Sequence, residues 1–97
     1  MSVYLITDLE IFDPEVFAEY QARFPSIIER HGGRYLVRGG EVRVVSGQWD
    51  LHRVIVFEFA DHEAVRATFA DPEYQPLIAI RERSARSKSF MVDGVES

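Results

Sequence analysis

The stretch HRVIVFEF, His52 to Phe59, repeats apolar residues with the two-residue period of a strand. Val54 and Val56 fall on one face, and Ile55, Phe57 and Phe59 on the other, so this strand is apolar on both sides and belongs at the centre of a sheet. Toward the N-terminus, Ser46 to Asp50 forms a loop. Before it, Arg34 to Arg38 reads as a strand that continues over Glu41 to Val45 after Gly39-Gly40, where a bulge or tight turn costs little. Gly32-Gly33 stops a helix that begins at Pro14 with Asp13 as its cap and Glu15 in its first turn. The apolar stripe of that helix is Phe17, Tyr20, Phe24, Ile27 and Ile28, and Pro25 predicts a bend or break near Arg23. VYLITDL, Val3 to Leu9, is the first strand. On the C-terminal side, Asp61 caps a short helix with Val65 and Phe69 inward. Asp71-Pro72-Glu73 repeats the capping signal for a helical piece to about Arg83, and Ser87 to Val92 closes as a strand.

The order β-α-β-β-α-β predicts an α+β, ferredoxin-like fold, a four-stranded antiparallel sheet with helices on one face, as a single domain over residues 1–97. Two helices cover one face only. The other face is expected to pack on a second copy, giving a symmetric homodimer through its sheets, since an isolated protomer rarely tolerates so large an apolar patch. The 97 residues carry 11 Lys and Arg against 16 Asp and Glu, a net charge of −5 that disfavours nucleic acid and anionic membranes. No apolar run is long enough to span a bilayer, the N-terminus does not read as a signal peptide, and cysteine is absent, so a cytoplasmic protein without disulfides is expected.

HGGRYLVRGG from His31 to Gly40, then Gly47-Gln48-Trp49, Arg53, Pro72-Glu73-Tyr74-Gln75 and Arg81 form an ordered set spread along nearly the whole chain. It resembles the domain-of-unknown-function family 1330 (DUF1330). The resemblance implies a dimeric α/β barrel, in which two ferredoxin-like subunits pack their sheets together and each keeps a pocket between sheet and helices. Distant superfamily relatives include cofactor-free monooxygenases, isomerases and haem enzymes, and fold analogy does not choose among them.

Arg38 stands out, because it sits on a strand that reads as covered and a buried guanidinium needs a partner. Glu58 on the central strand is the candidate internal partner; without that pair, Arg38 is free to take a carboxylate or enolate in its planar fork. Arg53 joins it in the only third of the chain with a positive balance, residues 31–60, which favours a small organic anion there. Trp49 is either a lid over a pocket or an anchor on the partner subunit. Tyr20 and Tyr74 are candidate hydrogen-bond donors or weak general acids, and Tyr74, Ile78 and Arg81 share one helical face. His31 is the candidate general base, by its near-neutral titration. His31, His52 and His62 are scattered, so neither a metal nor a cofactor is expected. Two readings stand: a small-molecule-binding homodimer with cofactor-free acid/base chemistry of an isomerase or monooxygenase kind, or a non-catalytic structural or interaction module whose polar residues serve the dimer.

Overall fold

The computed structural model describes residues 2–95. Its elements are β1 (Val3–Ile11), α1 (Pro14–Arg30), β2 (Arg34–Arg38), β3 (Arg53–Phe59), α2 (His62–Ala70), α3 (Gln75–Ser84) and β4 (Ala85–Asp93). The four strands form one antiparallel sheet in the order β2-β3-β1-β4, the ferredoxin-like arrangement. HRVIVFEF lies at the centre, as its two apolar faces require, paired with β1 from Leu9 opposite Arg53 to Val3 opposite Phe59.

Alternation along the strands sorts residues between two faces. Val3, Leu5, Thr7 and Leu9 of β1 join Ile55, Phe57 and Phe59 of β3 beneath the helices, where they are buried. From above, α1 lowers Phe17, Tyr20, Phe24, Ile27 and Ile28 onto them, and Phe24 is the hub: its ring lies 5.0 Å from Tyr20, 5.2 Å from Tyr74 and 5.9 Å from Phe57. Such aromatic pairs add about 0.5–1.5 kcal/mol each beyond the area they bury.

Four sequence expectations are corrected. No break occurs near Arg23: α1 continues as one helix past Pro25. The carbonyl that loses its donor belongs to Gln21, on the exposed face, while the buried side chains on both sides of Pro25 hold the helix down. At about 1.5–3 kcal/mol for each fully buried large side chain, that packing outweighs the roughly 3 kcal/mol cost of an interior proline. Glu41 to Val45 is not a strand, because β3 begins only at Arg53 and offers no partner beyond Arg38. The bulge falls at Leu36, between Tyr35 and Val37, and not at Gly39-Gly40. Finally, Asp71 does not cap α3; it ends α2 and accepts the Glu73 N–H at 2.9 Å, and α3 starts at Gln75.

Candidate functional site

The bulge at Leu36 decides what the helix face of the sheet carries. Tyr35 and Arg38 are three residues apart and would point to opposite faces of a regular strand. The extra residue resets the alternation, so Tyr35 pairs with Phe57 and Arg38 with Ile55, both on the buried face. Arg38 then lies with its guanidinium carbon 4.5 Å above the Tyr35 ring, a cation–π contact. Arg53 reaches the same place from the start of β3. Gly39, at φ +75°, turns the chain over it so closely that a Cβ there would lie 2.6 Å from its guanidinium carbon. This left-handed position and this close approach together require glycine.

These groups open on a cavity between sheet and helices. It leaves about 50 Å³ for the centres of water-sized molecules; at roughly 10–15 Å³ per water, that holds several waters or one small ring. Its walls are aromatic, with Phe17, Phe24, Phe57 and Phe69 among them, and its cations are Arg38, Arg53 and Arg81. No Asp or Glu lines it, and among the described residues none of the three arginines has a carboxylate partner. The Arg53 Nε is buried with no hydrogen-bond acceptor. A buried donor left unmade costs about 1–3 kcal/mol, which an incoming acceptor would recover.

On the far wall the Tyr20 and Tyr74 hydroxyls are 3.0 Å apart, and Arg81 Nη1 donates to Tyr74 Oη at 3.3 Å. Burial, together with the neighbouring Tyr74, pushes the Tyr20 phenol far above its ordinary range, so it stays a neutral donor. Burial also raises Tyr35, against the pull of Arg38 and Arg53. Along the floor Thr7 Oγ1 and Ser89 Oγ share a hydrogen bond of 2.9 Å, with Ser87 beside them.

The sequence-predicted residues therefore divide. The cavity gathers Arg38, Arg53, Arg81 and Tyr20, with the buried Tyr74 directly behind Tyr20. Glu58 is not the partner of Arg38: it points to the opposite face, where Arg34 meets it at 2.7 Å, and the Ser2 hydroxyl and Arg34 hold its carboxyl below the usual range. The desolvation assigned to Arg38 falls on Arg53 instead, since Arg38 stands exposed at the cavity mouth. His31 lies outside the cavity. It bonds Asp71 at 2.8 Å beside Arg30 at 2.7 Å, tying the end of α1 to the turn before α3. His31, the Glu73 backbone N–H and Arg30 together hold Asp71 below its ordinary value. Trp49 is 65% exposed and faces the open side of the sheet. Thr7, Ser87 and Ser89 escaped notice, although their signal was present: a hydroxyl at core-face positions of alternating strands. The three histidines sit apart, His31 with Asp71, His52 with Asp8 and His62 with Asp93, and the described residues contain no cluster suited to a metal ion.

Helices on one face and strands in this order define a ferredoxin-like α+β protein with a cation-rich cavity between sheet and helices. A family model, "Domain of unknown function (DUF1330)", matches residues 2–95, and the chain belongs to that family. Among solved structures, it is similar to the Rhodopseudomonas palustris RPA0582 protein of unknown function, with TM-score 0.81 and 16% identity over 99% of this chain and 84% of that one. It is also similar to SnoaB, a cofactor-independent oxygenase from Streptomyces nogalater, with TM-score 0.65 and 20% identity over 99% and 95% of the two chains. Rv0793 from Mycobacterium tuberculosis gives TM-score 0.58 and 13% identity over 100% and 98%. No curated protein matches the chain in sequence. No helix among the described residues is long and apolar enough to cross a membrane.

Proposed function

We propose that this protein binds a small organic anion in the cavity between sheet and helices. The observation that carries the reading is the set of three arginines with no carboxylate on the cavity wall, one of them with a buried and unpaired Nε. A guanidinium fork suits a carboxylate, and the aromatic walls lower the local dielectric and strengthen the pairing. The lining offers donors and no group that takes up a proton near neutrality, since His31 lies elsewhere and Tyr20 is held neutral. The reading is therefore binding. Acid/base chemistry of an isomerase or monooxygenase kind would need its base from the ligand, and the likeness to an oxygenase speaks to the fold alone.

The open sheet face supports a second part of the proposal, a homodimer. Ile6, Val54 and Phe90 share this face with Trp49, Val44 and Leu51 of the segment between β2 and β3, and Phe90 is 60% exposed. A second copy placed across a twofold axis would cover them, and about 800 Å² per partner is the usual requirement. The alternative of a structural or interaction module accommodates Arg38, which stands exposed, but leaves the buried, unpaired Nε of Arg53 without a role.

Calorimetric titration with benzoate tests the cavity. Arg53→Met is expected to weaken binding at least about tenfold, and to raise the Tm of the ligand-free protein by a few degrees, because it removes an orphaned donor. Unchanged benzoate affinity in both Arg53→Met and Arg38→Met would overturn the reading.

A further inference from the structure

The cavity's hydrogen bonds have a direction. Arginine only donates, so Tyr74 Oη accepts from Arg81 Nη1 across 3.3 Å. Tyr74 is 2% exposed, and the only acceptor for its own proton among the described residues is Tyr20 Oη, 3.0 Å away. Leaving that proton unbonded would cost a buried donor, so Tyr74 donates to Tyr20. Among the described residues Tyr20 in turn has no acceptor for its proton, and its side chain lines the cavity. A chain of two hydrogen bonds thus runs from a cation to a phenol and ends in an O–H aimed at whatever the cavity holds. Each bond polarises the next and makes the last donor stronger than a lone tyrosine.

We infer that the bound anion is a planar, single-ring carboxylate carrying a second, uncharged oxygen acceptor of carbonyl type, and that Tyr20 is the donor that reads this oxygen. The inference rests on the organic-anion reading and extends it. Arg38 and Arg53 supply the charge contact, and the rings of Phe24 and Phe57 supply a wall for a flat body. The space between sheet and helices takes about one ring. Tyr74 and Arg81 act as positioning residues, fixing which way the Tyr20 proton points. A ligand with a methyl group in place of the oxygen would bury the Tyr20 donor unpaired, and sites built to donate discriminate strongly against such analogues.

The test uses isosteric pairs: 3- and 4-formylbenzoate against 3- and 4-methylbenzoate, titrated into the full chain by calorimetry. The two ring positions sample two separations between charge and acceptor. One formyl isomer is expected to bind about tenfold more tightly than its methyl counterpart, the effect of one hydrogen bond to a buried donor. Tyr20→Phe should abolish that preference from both sides, weakening the formyl compound and tightening the methyl one, which no longer buries an unpaired donor. Should Tyr20→Phe fail to fold, Tyr74→Phe reads the same ratio, lowered about two- to threefold because the relay is cut one bond upstream. A merely structural role for either tyrosine would weaken both members of a pair equally. Equal affinity for formyl and methyl compounds in the natural protein overturns this inference while leaving the anion site standing. Binding of none of the four overturns the anion site itself.

Discussion

The two faces of the sheet are built from the same four strands and treat charge in opposite ways. On the open face, three ion pairs form: Arg34 reaches Glu58 at 2.7 Å, Arg86 reaches Glu10 at 3.6 Å and His52 reaches Asp8 at 2.9 Å, while Lys88 has no such pair among the described residues. On the helix face, Arg38, Arg53 and Arg81 surround a cavity with no carboxylate. Stability alone would favour the reverse, because leaving a charge unpaired grows more costly as water is removed. Arg53, whose Nε is buried without an acceptor, marks a site completed from outside, and such sites trade stability for function.

The sharpest test of this division uses two neighbours on β3. Phe57 faces the helices at 3% exposure, and Val56 faces the open side, half-buried. Urea unfolding of Phe57→Ala is expected to show a loss of about 3–5 kcal/mol at any protein concentration. Val56→Ala, measured at low concentration, should cost about 1 kcal/mol or less. Equal losses would mean that the two faces do not differ as described. Second in size is the effect of Phe90→Asp, which places a charge at the centre of the proposed contact between copies. Sedimentation at micromolar concentration should give a dimer for the natural protein and a folded single chain for the variant. A natural protein that sediments as a single chain would remove the dimer and leave the cavity, which lies within one protomer.

Much of this division was legible in the residues. The double apolar face of His52 to Phe59 placed the central strand, and the spacing of Phe17, Tyr20 and Phe24 placed the helix above it. Arg38, Arg53, Arg81 and Tyr20 could be singled out because a polar group on a covered element needs a reason. What stayed hidden was parity. A one-residue bulge at Leu36 leaves no signature in RYLVR, yet it decides which face Arg38 joins. Arg38 and Glu58 are apart along the strands as well as in face, because Arg34 is the residue that stands opposite Glu58. Glu41 to Val45 misled for a related reason, because a branched, alternating run becomes a strand only where a neighbour is long enough to pair with it. No sequence pattern shows that Asp71, 40 positions away, already occupies His31.

The smallest effect separates the faces by pH. His52 sits where the segment after β2 rejoins the sheet; its backbone N–H donates to Asp8 Oδ1 at 2.7 Å, and its ring meets Asp8 at 2.9 Å with Glu10 and Asp50 each at 3.6 Å. The Asp8 hydrogen bond first, then the charges of Glu10, Asp50 and Asp8, raise its pKa above the ordinary histidine value, against a smaller loss from desolvation. A pKa higher in the folded than in the unfolded chain means that folding favours the protonated ring. The stabilisation is therefore full below the unfolded value of about 6.5 and disappears as pH rises through the folded value. The ring is partly solvated, so water and salt screen the effect and the expected change in Tm is no more than a few degrees. The Tm difference between the natural protein and His52→Gln should be largest near about pH 5.5 and shrink toward zero on the alkaline side. Occupancy of the cavity should not respond, because His52 belongs to the other face. A difference that stays constant across that range would mean that His52 holds the segment through its shape and its backbone hydrogen bond, and not through its charge.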